Sequence, residues 1–164
     1  MHYVVGDARH LPLPANGADA VYSYSVLQHF SRDDAAAAVR EIARVLRPNG
    51  TAKVQFPTPF GIRCLYHQVR RGFRAATGFE VRYWTWPQLR QLFSVIGASH
   101  FEVDCYFGIG LQKSDARLMT PRLARIVGAS EFLKGVSRRV VPLQWVADSV
   151  FVESQKPCAE SPAS

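Results

Sequence analysis

Asp19-Ala20-Val21-Tyr22-Ser23-Tyr24, Ser31-Arg32-Asp33-Asp34, Leu46-Arg47-Pro48-Asn49-Gly50 and Thr51-Ala52-Lys53-Val54-Gln55-Phe56 decide the fold. The first run is apolar enough for a strand inside a sheet. Ser31 and Asp34 stand at capping-box spacing, where the first side chain accepts a backbone N–H that the opening helix leaves free. Val39, Ile42, Ala43 and Leu46 then recur at i, i+3, i+4 and i+7, one face of a helix. Arg47 in the last turn and Pro48-Asn49-Gly50 beyond it predict where that helix stops. Thr51–Phe56 predicts the next strand, ended by Pro57. Strand, helix and strand in this order make a βαβ unit, with parallel strands and a right-handed crossover.

Upstream, His2–Gly6 is a short β-rich run that predicts a further strand followed by a loop at Asp7. Leu11-Pro12-Leu13-Pro14-Ala15-Asn16-Gly17 is turn chemistry. Downstream, residues 58–80 exceed a minimal α/β layout and predict a helix from Ile62 to about Arg71. Ile62, Leu65, Tyr66, Val69 and Phe73 form its apolar stripe, with Arg63, His67, Arg70, Arg71 and Arg74 around it. Thr85-Trp86-Pro87-Gln88 is a second capping box, opening a helix with Leu89, Leu92, Phe93 and Ile96 on its buried face and Gly97 at its end.

Phe101–Phe107 predicts a strand, with Gly108 and Gly110 in the loop beyond it. A second insertion, about 112–144, carries the helix start Thr120-Pro121 and the cations Arg122, Arg125, Lys134, Arg138 and Arg139. Trp145–Val152 predicts the last strand. The expected organisation is one domain over 1–156 and a disordered tail over 157–164.

Composition bounds the function. The chain is 164 residues long, 48% hydrophobic and 20% charged, as in an ordinary globular domain. No apolar run approaches the roughly 20 residues that cross a bilayer, and the first residues lack the basic start of a signal peptide. Cys64, Cys105 and Cys158 are scattered, which argues for reduced thiols in a cytoplasmic setting and against a zinc site. The net charge of +7 sits unevenly: residues 58–145 hold thirteen Lys/Arg against five Asp/Glu, a surplus of eight, while 1–57 hold six against five. Two arginine-rich amphipathic stretches suggest peripheral contact with an anionic membrane surface, such as the inner membrane, or a charged acceptor. A solvated face over an apolar stripe explains the same pattern. Aromatics interleaved with Lys/Arg as a stacking platform are missing, so nucleic acid is not expected.

Gly6-Asp7-Ala8 with Leu11-Pro12, the run Asp19–Phe30, and Leu46-Arg47-Pro48-Asn49-Gly50 together resemble the class I S-adenosylmethionine-dependent methyltransferases, in their small-molecule branch. Ala147-Asp148-Ser149-Val150-Phe151-Val152 resembles that fold's last, antiparallel strand. The resemblance implies an α/β, doubly wound (Rossmann-like) sheet of order 3-2-1-4-5-7-6, here lacking its first two strands and carrying mainly helical insertions. The family's opening strand, its G-x-G-x-G turn and the acidic residue that binds the ribose have no counterpart before Asp7. The sequence is therefore expected to be N-terminally truncated, by a misplaced start or a shortened gene. The strand at His2 is expected to slide over and pair directly with Asp19–Tyr24. An unpaired edge would otherwise invite self-association.

In family terms Asp7 would accept from the adenine amine of S-adenosylmethionine and the Ala8 N–H would donate to a ring nitrogen. Ser25, Gln28 and His29 would line the methionine end. His29 is also a candidate general base, its ordinary pKa suiting the task, against a role in loop packing. Tyr66, His67, Tyr83 and Trp84 would line the acceptor pocket, core packing being the other reading. The implied activity is methyl transfer to oxygen, nitrogen or carbon of a small or lipid-linked acceptor, weak or absent in the isolated chain. The rival is a non-catalytic remnant that binds a partner or an anionic membrane. A nucleotide-binding oxidoreductase would need a dinucleotide fingerprint at an initial strand, which this sequence does not contain.

Overall fold

The computed structural model describes residues 3–108 and 119–158. Gly110, the start of the second insertion, His2 and most of the predicted tail lie outside them. The sheet has four strands in the order β1 (Ala18–Ser23), β2 (Leu46–Pro57), β4 (Ser149–Gln155), β3 (Ser99–Cys105). β1 and β2 are parallel, and β4 runs antiparallel to both its neighbours. This is the 4-5-7-6 half of the order that the resemblance implies.

The βαβ unit forms as its punctuation dictates. α1 (Arg32–Val45) starts at Ser31, whose Oγ accepts the Asp34 N–H at 3.0 Å and donates to the Asp34 carboxylate at 2.7 Å. Ala35, Ala38, Val39, Ile42 and Val45 form its buried face. The helix ends at Val45, short of Arg47, with Leu46 already extended at φ −66° and ψ 131°. Pro48 disfavours helical backbone at the residue before it, and that restriction ends the helix early. Asn49 takes a positive φ of 65°, and the register slips from Ala18↔Leu46 to Ala20↔Thr51. Pro-Asn-Gly is thus an irregularity within β2 and not a turn ahead of it.

No strand forms at Tyr3–Gly6, the described part of the strand expected at His2–Gly6, and these residues do not pair with Asp19–Tyr24. Tyr3–Gly6 belong to no strand, Val5 is wholly exposed, and β1 pairs with β2 alone among the described residues. The segment is held elsewhere. A tight turn links Asp7 to His10, and Arg9 bridges Asp7 (2.7 Å) to Asp34 (2.9 Å) at the start of α1. β propensity without a partner strand yields no ladder.

Beyond β2 come α2 (Ile62–Arg70) and α3 (Trp86–Phe93), the latter opened by the Thr85 N–H donating to Gln88 Oε1 at 3.0 Å. α4 (Pro121–Ser137) starts at Thr120, whose side chain accepts from the Leu123 N–H, and packs against β3. A short α5 (Val141–Gln144) follows. The last strand begins at Ser149, later than Trp145, because Trp145 instead stacks on Trp86 with ring centroids 5.3 Å apart.

The core lies on one face of the sheet. Val54, Phe56, Val150 and Val152 meet Val39 and Ile42 of α1 and Leu89 and Phe93 of α3. Strand alternation turns Tyr22, Tyr24 and Phe151 to the other face, where each tyrosine ring lies 6.0 Å from Phe151 and remains exposed.

Candidate functional site

Because β1 and β2 are parallel and β4 starts where β2 ends, the carboxyl ends of β1 and β2 and the amino end of β4 share one rim of the sheet. Ligands in open α/β sheets bind at such rims. A cavity of about 310 Å³ opens there, close to the lower end of ligand pockets, roughly 300 Å³. Tyr24, Ser25 and Gln28 come from the segment after β1, Gln55 from β2, Arg63, Cys64 and His67 from α2, and Asp148 and Ser149 from the start of β4. Tyr83 closes it from the stretch before α3.

Ser25 holds a left-handed φ of 58°, a conformation that costs a residue with a side chain about 1–3 kcal/mol. Two contacts hold it. Its N–H donates to Gln55 Oε1 at 3.1 Å, and its hydroxyl accepts from Gln28 Nε2 at 2.6 Å. Gln55 is a buried polar residue between the apolar Val54 and Phe56, and this bond gives it a reason to be there.

His29 stacks on Phe79 with ring centroids 4.0 Å apart, and its Nδ1 lies 2.8 Å from the Phe79 carbonyl. A carbonyl only accepts, so Nδ1 carries the proton and Nε2 accepts from Gln28 Nε2 at 3.1 Å. Both ring nitrogens are engaged within the protein. A base role would require Nε2 to give up the Gln28 amide.

α2 is anchored at its first turn. Asp148, 2% exposed, accepts the N–H groups of Arg63 (2.9 Å) and Cys64 (3.1 Å), while its Oδ2 is buried with no hydrogen-bond partner among the described residues. A β-carbon at Gly61 would collide with Asp148, so only glycine permits this approach. Burial pushes the Cys105 thiol up to about 12 and raises that of Cys64 further, so neither is a nucleophile at neutral pH. Burial, followed by the Asp104 carboxylate, lifts the Tyr24 phenol to about 12. Asp104 is itself raised by burial and accepts from Ser149 Oγ at 2.7 Å.

Of the residues singled out in the sequence, Ser25, Gln28, His67 and Tyr83 meet in this cavity. Asp7 and Ala8 do not line it. The Asp7 carboxylate is taken up by Arg9, whose hydrogen bonds hold it at about 2. Tyr66 faces outward and is 56% exposed. Trp84 is buried on the core side, against Phe56 and beneath the Arg32 guanidinium 3.7 Å from its ring. Tyr24, Gln55, Arg63 and Asp148 are lining residues that the sequence reading missed. A polar residue between Val54 and Phe56 could have pointed to Gln55, but no local pattern marks Asp148.

Residues 1–54 match the family model described as methyltransferase domain. No curated protein matches the chain. Among solved structures, a chain of the Haloferax volcanii complex containing the Trm112 methyltransferase activator is 16% identical, with a TM-score of 0.56 over 96% of this chain and 62% of that one. A Thermotoga maritima S-adenosylmethionine-dependent methyltransferase, described as a possible histamine N-methyltransferase, is 13% identical, with a TM-score of 0.58 over 92% of this chain and 62% of that one. An Archaeoglobus fulgidus S-adenosylmethionine-dependent methyltransferase is 14% identical, with a TM-score of 0.57 over 93% of this chain and 66% of that one. The chain thus spans under two thirds of each. Residues 1–54 are similar to a methyltransferase domain, and the chain as a whole shares the fold of these solved structures.

Proposed function

We propose that this chain forms the acceptor side of an S-adenosylmethionine-dependent methyltransferase acting on a small or lipid-linked acceptor. The observation that carries the reading is the meeting of Ser25 and Gln28 with His67 and Tyr83 in one cavity at the carboxyl ends of β1 and β2. The cofactor supplies a methyl group on a sulfonium, which a nucleophile takes without prior activation. What the protein must supply is alignment of the acceptor with that carbon. Rigid rim residues suit the task, and the engaged nitrogens of His29 do not count against it. The Ser25 hydroxyl and Gln28 amide fit the polar methionine end. Asp7 would reach adenine only by leaving Arg9.

The first 54 residues contain glycine only at Gly6 and Gly17 and Gly50, so no G-x-G-x-G turn stands beside β1. Weak activity of the isolated chain and self-association through the open edge of β1 belong to this reading. A second reading, a non-catalytic module at an anionic membrane surface, draws support from the uncovered apolar face of α2. No helix among the described residues is long and apolar enough to cross a membrane.

Calorimetric titration of S-adenosylhomocysteine into the 164-residue chain tests the first reading. Weak binding is expected, reduced about tenfold further by Gln28→Ala, the size of one lost hydrogen bond. No heat at millimolar ligand overturns the enzyme reading for this chain and leaves the second.

A further inference from the structure

α2 has two unlike sides. At 3.6 residues per turn, positions 63, 64 and 67 share one side and 62, 65, 66 and 69 the other. The first side lines the cavity through Arg63, Cys64 and His67. The second carries Ile62, Leu65, Tyr66 and Val69, exposed by 65%, 39%, 56% and 60%. Phe73, just past the helix, continues the stripe and is 66% exposed. A contiguous apolar stripe on an outward helix face is a binding surface more often than an accident.

The charge around this stripe identifies what covers it. From Gly61 to Phe79 there are four arginines and no Asp or Glu. Beside the stripe a second cavity of about 470 Å³ is walled by Arg70, Arg71, Arg74 and His67, with Glu80 as its carboxylate. Glu80 pairs with Arg74 at 2.6 Å and with Arg71 at 4.0 Å, Arg71 also donates to the Val81 carbonyl, and the Arg70 guanidinium sits 5.7 Å from the Tyr66 ring. Three guanidinium groups against one carboxylate leave a pocket suited to phosphate oxygens. An apolar face beside an arginine-walled pocket matches the two layers of an anionic bilayer, acyl boundary and headgroup.

We infer that α2 docks this protein on an anionic lipid surface, its apolar stripe in the acyl boundary and the Arg70–Arg74 pocket on a phosphate headgroup. The opposite side of the same helix then holds the candidate acceptor cavity next to the lipid plane. The inference deepens the membrane-surface reading by naming its partner and its contact residues. It does not depend on cofactor binding, so the titration above and the experiment below fail separately.

The test is co-sedimentation of the full chain with phosphatidylcholine vesicles, with and without a third of the lipid as phosphatidylglycerol, at low and high salt. The double variant Ile62→Glu/Val69→Glu changes two exposed helix positions that a glutamate tolerates, and thermal melting confirms that it folds. Binding to the anionic vesicles alone is expected, falling with salt and dropping about tenfold or more in the double variant. Arg70→Glu should weaken it as well. Equal binding to both vesicle types, no binding at low salt, or an unaffected double variant overturns the proposal. So does a wild-type dimer in size-exclusion chromatography that the double variant dissolves, because the stripe would then be a contact between copies of this chain.

Discussion

The Asp148 carboxylate receives the backbone N–H groups of Arg63 and Cys64, tying the first turn of α2 to the strand that lies between β2 and β3. The tether spans 85 residues of sequence and places the cavity-lining side of α2 over the sheet rim. Replacing Asp148 with Ala strips two helix-start donors of their acceptor in a buried place. The expected cost is about 2 kcal/mol, measured as a shift in the urea midpoint at unchanged slope. Asp148→Asn keeps an acceptor oxygen and should cost less than half as much. An alanine variant as stable as the parent would show that the tether bears no weight.

Thiol chemistry checks the burial of the same region. Cys64 and Cys105 are buried and Cys158 is exposed. Burial raises both inner thiols, so their thiolate fraction at neutral pH is negligible. A thiol-reactive disulfide reagent should titrate one group per native chain within seconds and the remaining two only after denaturant is added. Fast reaction of a second thiol in the native protein would mean that α2 opens away from the sheet.

Capping chemistry was the most legible part of the sequence. Ser31 with Asp34, Thr85 with Gln88, and Thr120-Pro121 are local signals, and each opens a helix where expected. The order of strands followed from the family resemblance that the short motifs carry, and the βαβ unit gave the parallel pair. What failed depended on distant partners. The run at His2–Gly6 has strand propensity, but among the described residues no neighbour supplies a ladder to Tyr3–Gly6. The α2 stripe was visible as a periodicity, yet periodicity says which residues share a face and not what covers it. Asp148 could not be read at all, since its role exists only once Gly61 has been brought against it.

Acid should weaken the hold on the segment leading into β1. The Arg44 guanidinium, donating to Glu41, and the Leu11 N–H, donating at 2.8 Å, hold the Glu41 carboxyl at about 2. Arg44 in turn donates to the carbonyls of Leu11 and Leu13, both at 2.9 Å. A carboxyl depressed in the folded state stabilises above its unfolded pKa of roughly 4.3, and that contribution fades as pH falls from there toward 2. Glu41→Gln should therefore lower the urea midpoint at pH 7 and converge with the parent at the acid end of this range. The pair lies near the surface, so high salt should shrink the difference. A gap between the two proteins that is constant with pH would exclude this linkage.

The open edge of β1 makes the last prediction. Among the described residues β1 pairs only with β2, and Ala20 and Tyr22 on it are exposed. The face beside that edge carries Tyr22, Tyr24 and Phe151, so an incoming strand would gain both hydrogen bonds and apolar contact. Natural edges avoid this with charge, lysine above all. No Lys or Arg stands between Ala18 and Phe30. Sedimentation velocity should show association that grows with concentration, and Ala20→Lys/Tyr22→Lys should weaken it about tenfold or more, as lysine protection of an edge implies. The variant Ile62→Glu/Val69→Glu, altered on α2, should associate like the parent. If instead it alone prevents association, copies meet through α2 and the edge of β1 is not what joins them.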